Sequence, residues 1–373
     1  MFQIIVISVV NMLVMKGSTL HIAVVSLTLQ LAIFILTWPD SLIVSADGTG
    51  VGAAGRGRVD VHAHFMPPFY RDIVLERNLT AGGTVPVWSA SDLVEEQAKF
   101  DVKTSVLSIS VPGVSFFEPH EVAERRELAR RVNEFGHNVS VAYPNRLEFF
   151  ATLPLPDVEG AVDEAIHCLD VLKAAGVALF GNSNGVYLGN PDLDPLMEVL
   201  NDRNAVAFVH PNLLYQGEDD TGIPGPVLDF LLDTSRVATN LVVRNVTGRY
   251  PKIKWILSHS GGFIPFAAGR ISLMYSQNLP DTTREDLRER LKIFNVEISF
   301  TDASQLPSVL DFFTAEKMLL GSDSPNADAL GFVSSNLDAF PLTVQQRDDI
   351  NFGNAAALFG GSFSSKVGHM WTK

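Results

Sequence analysis

Eight short apolar runs recur between Val59 and Ser322, with longer stretches of helical composition set between them. The runs are Val59–His64, Thr104–Val111, Phe149–Leu153, Gly176–Phe180, Ala205–His210, Lys254–His259, Asn295–Phe300 and Lys317–Ser322. Runs this short, rich in Val, Ile, Leu and Phe, read as strands buried on both faces. Glu121–Asn138, Val158–Ala175 and Thr283–Leu291 have the composition of helices. Repeated βα units of this kind predict an α/β fold, a (β/α)8 TIM barrel, with residues 58–373 as its single domain. Two stretches holding Gly and Pro, Thr80–Ser89 and Leu213–Pro226, read as irregular loops on the side where barrels build active sites.

The chain ahead of the barrel differs in kind. Phe2–Met15 is apolar, Lys16 interrupts, and Leu20–Thr37 is uncharged and mostly apolar. With the small residues Val44-Ser45-Ala46 behind it, this apolar extension, residues 1–46, reads as a signal peptide or signal anchor. That reading predicts the secretory pathway, or membrane association through this segment alone; the alternative is an overextended reading frame ahead of a cytosolic enzyme. Residues 47–57, rich in Gly and Ala, read as a flexible spacer. Hydrophobic residues at 46% and charged residues at 19% fit a globular domain, and a net charge of −14 argues against a nucleic-acid partner. The single cysteine, Cys168, excludes an intrachain disulfide and a Cys-rich zinc module.

Chemistry concentrates where the runs end. In Val59-Asp60-Val61-His62-Ala63-His64, strand alternation predicts Asp60, His62 and His64 on one face and Val59, Val61 and Ala63 on the other. Two imidazoles at that spacing can grip one ion from adjacent pleats. Three further runs stop at ligand-type residues: His210 before Pro211, His259 before Ser260-Gly261-Gly262, and Asp323 before Ser324-Pro325. In a barrel the C-terminal strand ends converge on one mouth, so residues far apart in sequence can meet there. Phe65, Trp88, Phe116, Phe117 and Phe300 stand near the same predicted mouth and could pack against an aromatic ring.

The phrases VDVHAHFMPP, ATLPLPDVEGAVDE, GNSNGVYLGNPDLDPLMEVL, FVHP, PKIKWILSHSGGFIPFAAGRI and LLGSDSP run in order from about Val59 to Asn354. In these the chain resembles the family of aminocarboxymuconate-semialdehyde decarboxylase and its aromatic-acid relatives, part of the amidohydrolase superfamily. Among them it is most similar to the fungal 6-methylsalicylate decarboxylases of polyketide secondary metabolism. The resemblance implies that His62, His64, His210 and Asp323 ligate one divalent metal, Zn²⁺ first and Mn²⁺ as the alternative, with His259 beside it as acid/base or water-orienting residue. It implies that Arg270 reaches a substrate carboxylate across the interface of a homodimer; Phe300, by its place at the predicted mouth, is expected to contact the substrate. The run Gly176–Phe180 lacks the lysine that bridges two metals in binuclear relatives; Lys173 precedes the strand, at its wrong end.

The activity so implied is metal-dependent, non-oxidative decarboxylation of a small aromatic acid, 6-methylsalicylate giving m-cresol and carbon dioxide. Either Asp323 or His259 would deliver a proton to the ring carbon that bears the carboxylate. The fold and the metal ligands alone also allow a hydrolase of a lactone, amide or ester.

Overall fold

The structure is a computed structural model that describes residues 56–80, 84–214, 222–279, 282–326 and 328–360. The expected leader, 1–46, and residues 47–55 of the expected spacer lie outside them. Eight strands, β1 (Arg58–His64), β2 (Val102–Ser108), β3 (Leu147–Thr152), β4 (Gly176–Phe180), β5 (Val206–His210), β6 (Lys254–Leu257), β7 (Asn295–Glu297) and β8 (Met318–Leu319), pair in chain order, every pair parallel. β8 and the residues after it return to β1: Val61 N donates to Leu320 O (2.9 Å), Ser322 N to His62 O (3.1 Å) and His64 N to Ser324 O (2.7 Å). The sheet thus closes into a (β/α)8 barrel.

The surrounding helices are α1 (Pro68–Glu76), α2 (Ala90–Lys99), α3 (Val122–Ala142), α4 (Val158–His167), α5 (Asp194–Asp202), α6 (Gly225–Val243), α7 (Ile264–Ser276), α8 (Arg284–Leu291), α9 (Leu306–Phe313), α10 (Ala329–Ala339) and α11 (Asn354–Phe359). Local chemistry sets several of their ends. Ser89 caps α2 by accepting from Asp92 N, and Thr283 with Asp286 forms a capping box on α8. α4 stops short of the expected Ala175: a π-turn, Cys168–Leu172, follows it, and Lys173 turns the chain at φ +59° into β4. α3 continues past the expected Asn138, and Gly136 lets it lie close on β3, since a Cβ there would meet Phe149 at 2.9 Å.

Inside the barrel, Val59, Val61, Phe150, Phe208, Ile256 and Leu319 form an apolar floor, closed from below by Ala355 and Leu358 of α11. Lys254 Nζ on Leu358 O (2.6 Å) and Asn354 Nδ2 on Met318 O (2.7 Å) fasten that plug to the strands. The last three strands are shorter than their apolar runs. Just past their ends some amides meet carboxylates: His259 N donates to Glu297 Oε1 (2.6 Å), Ser299 N to Glu297 Oε2 (2.7 Å), and Ser322 N to Asp60 Oδ1 (3.0 Å) as well as to His62 O. Among the described residues no helix is long and apolar enough to cross a membrane.

Candidate metal centre and substrate pocket

Simple alternation does not describe β1. Its register on β2 pairs Asp60 with Ser105 and then Ala63 with Leu107, three residues against two, so the strand carries a bulge. Val59 and Val61 point into the floor, and past the bulge His62 and His64 point into the same interior one level higher. Ala63 packs outward with Phe65, Met66 and Tyr70. Asp60 is therefore not on the histidine face. It lies buried between strands, accepting from His62 N (3.0 Å), Ser322 Oγ (2.7 Å) and Ser105 Oγ (3.2 Å). Burial pushes its carboxyl up to about 7, against the Ser322 and His62 bonds.

His62, His64, His210 and Asp323 converge, one ligand atom from each lying within 4.8 Å of the others. His64 Nε2 is 2.7 Å from Asp323 Oδ1, His62 Nε2 is 3.4 Å from the same oxygen, and the two Nε2 atoms are 3.1 Å apart. His210 Nε2 is buried without a partner among the described residues. Each outer nitrogen is engaged instead: His62 Nδ1 with Glu297 Oε1 (2.8 Å), His64 Nδ1 with Ser108 O (3.2 Å) and His210 Nδ1 with Pro211 O (2.7 Å). Those acceptors fix the tautomer that carries the proton outward and turns three lone pairs to one point beside a carboxylate. Burial, then the neighbouring His64 and His62, holds His210 well below the usual imidazole range, and burial holds His62 down against the pull of Glu297 and Asp323. Three neutral imidazoles and one carboxylate fit a divalent cation in donor type and number. β4 supplies no lysine, and Lys173 sits at the opposite end of that strand.

His259 follows β6 in a short turn where it and Ser260 have φ of +51° and +57°. Its Nε2 is 3.3 Å from Asp323 Oδ2, while Nδ1 is buried without a partner among the described residues. Burial acts to lower the His259 pKa, but the Asp323 hydrogen bond and charge outweigh it and the net shift is upward. Asp323 is held well below the carboxylate range: burial opposes this, and the charges and bonds of His62, His259 and His64 prevail.

Above these groups opens a cavity of about 600 Å³. Val227, Phe230 and Leu231 of α6, with Phe263 and Phe266 at the start of α7, make an apolar wall; Ser299, Phe300, Thr301, Ser304 and Gln305 face it. His210, His259 and Asp323 are also among its walls, and Asn326 donates from the rim to Asp323 Oδ1 (2.9 Å). No lysine or arginine lines it among the described residues. Phe300 is there as expected, at φ +50°, its ring stacked on His259 at 28°. The other four expected aromatics pack elsewhere. Phe65 stacks on Phe135 beside Trp88, and Phe116 stacks on Phe117 under the Arg77 guanidinium. Arg270 is exposed on α7, outside the cavity of its own chain.

Glu297, Phe230 and Phe263 are site residues that the strand-end pattern does not reveal. Glu297 left a trace, a carboxylate inside the apolar run Phe294–Ile298; the two phenylalanines lie on or just ahead of helices, where no run ends.

The sequence profile described as Amidohydrolase matches residues 59–361. The chain belongs to the amidohydrolase family. Its curated relatives include Decarboxylase macB of Penicillium terrestre, 31% identical over 323 residues that cover 81% of this chain and 94% of that one. A 6-methylsalicylic acid decarboxylase of Penicillium expansum is 31% identical over 317 residues, 81% of this chain and 96% of its own. These relatives place this amidohydrolase among the decarboxylases of the superfamily. The fold is shared with 5-carboxyvanillate decarboxylase of Novosphingobium aromaticivorans, solved with manganese and 4-hydroxy-3-methoxy-5-nitrobenzoic acid (TM-score 0.71, 19% identity, 83% of this chain and 97% of that one).

Proposed function

We propose that this amidohydrolase is a metal-dependent, non-oxidative decarboxylase of a small aromatic monocarboxylic acid, with 6-methylsalicylate to m-cresol and carbon dioxide as its reaction. The observation that carries this is the convergence of His62, His64, His210 and Asp323 beneath an aromatic-walled cavity, with His259 hydrogen-bonded to the same aspartate. The fungal relatives support the substrate. So does the wall of Phe230, Phe263 and Phe266, which suits a ring bearing a methyl group and offers nothing to a second carboxylate.

His62, His64, His210 and Asp323 would hold the ion, Zn²⁺ by donor type with Mn²⁺ as the alternative. When bound, it acts as Lewis acid and template for the carboxylate and the neighbouring phenolic oxygen. The chain's own groups do the rest. Phe230, Phe263 and Phe300 hold the ring and keep water from its faces. The His259–Asp323 pair holds the proton that goes to the ring carbon bearing the carboxylate. As that C–H bond forms, aromaticity is lost; when the C–C bond breaks, its electron pair returns to the ring and carbon dioxide leaves. A positioned acid of this kind supplies about 10²–10⁴-fold.

A homodimer belongs to the same proposal. Phe266 is 93% exposed beside the cavity, and Leu273 and Met274 on the same side of that helix are exposed too, an apolar face that a second copy would cover. Arg270 on that helix would then serve the partner's cavity, supplying a cation that the described walls of the cavity lack.

The experiment is metal analysis of the purified protein, together with its mass in solution and product analysis with 6-methylsalicylate. One divalent ion per chain, a dimer mass and release of m-cresol with carbon dioxide are expected. Bound metal without carbon dioxide would move the reading to a hydrolase, and no bound metal would overturn the ligand assignment.

A further inference from the structure

From the geometry around Glu297 we infer that this residue is the shared positioning group of the site, one carboxylate that sets both the metal-binding face of His62 and the placement of His259. The inference rests on the proposed metal site but adds a residue to it. Glu297 is fully buried on β7, yet hydrogen bonds occupy both its oxygens. Oε1 accepts from His62 Nδ1 (2.8 Å), from His259 N (2.6 Å) and from Ser299 Oγ (3.0 Å); Oε2 accepts from Ser299 N (2.7 Å). Room for the group is built into the neighbouring strand end, because a Cβ at Gly321 would lie 2.1 Å from Oε2.

One oxygen thus performs two tasks. By taking the His62 Nδ1 proton it leaves the Nε2 lone pair facing His64, His210 and Asp323. By taking the His259 amide it anchors a left-handed turn, at φ +51° and +57°, that a His-Ser pair adopts only when held. That turn brings His259 Nε2 back to Asp323 Oδ2. The β1 ligand and the acid/base residue after β6 are therefore not placed independently.

A carboxylate is required because every group around it is a donor. In Glu297→Gln, either flip of the amide sets an NH₂ against a donor, at His62 and His259 in one orientation and at Ser299 N in the other. The test is Zn²⁺ affinity, measured on purified wild type and Glu297→Gln by competition with a chromophoric chelator, followed by kcat at saturating metal. The expected result is affinity lower by about 10–100-fold, with kcat still reduced when the site is full because His259 is displaced. Unchanged affinity overturns the inference.

Glu164→Gln is the control, a buried carboxylate held by Arg130 and Asn133 away from the site. It should lose stability and keep its affinity, and an equal loss of affinity there would reduce the Glu297 effect to general loosening. If Glu297→Gln does not fold, Glu297→Asp is read the same way: its shorter arm cannot span His62, His259 and Ser299, so undiminished affinity would again overturn the inference. Wild type that binds neither Zn²⁺ nor Mn²⁺ overturns the metal site itself, which separates that failure from failure at Glu297.

Discussion

At the lower end of the barrel the residues with left-handed backbone, Asp101, Asn145, Lys173, Asn204 and Thr314, each lie a few residues ahead of a strand. At the upper end they include His259, Ser260, Phe300 and Asp323, the first and last of them in the candidate site. Asn and Asp adopt that conformation at little cost, whereas a bulky side chain held there costs about 1–3 kcal/mol. The interiors differ in what they hold. Below, Phe150 stacks on Phe208 at 12° within an all-apolar layer that α11 seals. Above, four histidines and the carboxylates of Glu297 and Asp323 are buried together, tolerable because nearly every polar atom meets a partner. Left-handed backbone thus occurs at both ends, and what separates them is content: the lower end is built for packing, and the upper end gathers buried polar residues that packing alone does not call for.

The comparison breaks if the two ends respond alike to damage. His62→Ala/His64→Ala is expected to abolish stoichiometric metal binding and lower decarboxylation by more than about 10²-fold, with the circular dichroism of the barrel retained. A variant that kept its metal and full activity would show that the histidines are core residues after all. Phe150→Ala attacks the floor instead. It should cost about 3–5 kcal/mol in urea unfolding, with one metal still bound per chain and kcat little changed. Loss of metal without loss of stability would mean that floor and mouth are not separable layers.

The order of strands was legible because each run is apolar, and the four proposed ligands were legible because each stands at or beside the end of such a run. What stayed hidden depends on pairing. The bulge in β1 is a property of two strands in register, so no period within Val59–His64 could reveal that Val61 and His62 both face inward. Glu297 looks like a lone acid inside a strand until His62, 235 positions earlier, lies 2.8 Å away. Glu297 and Asp60 take the Ser299 and Ser322 amides just past β7 and β8, contacts that no reading of either run by itself contains. The pocket aromatics escaped for another reason: Phe230, Phe263 and Phe266 come from helices and their entrances, where apolar residues are read as packing.

The outer helical layer offers the mildest test, since a group far from both ends should alter stability slightly and chemistry not at all. Asp157 caps α4 through Gly160 N (3.2 Å) and takes Arg126 Nη2 of α3 (2.9 Å). Burial acts to raise its pKa, but the Arg126 and Gly160 bonds prevail and hold the carboxyl below the usual range. A group with a depressed folded pKa stabilises above its unfolded pKa, about 3.9 for Asp, and that contribution fades as pH falls through the folded value. Arg126 is partly exposed, so solvent screens the ion pair, which adds little, and the cap dominates. Asp157→Ala should therefore cost about 1 kcal/mol at neutral pH, and the gap from wild type should narrow once the pH drops below 4. A gap constant down to pH 3 would mean that the ionised carboxylate is not what stabilises α4. A change in kcat would mean that the helical shell is coupled to the mouth, which would undo the separation of layers.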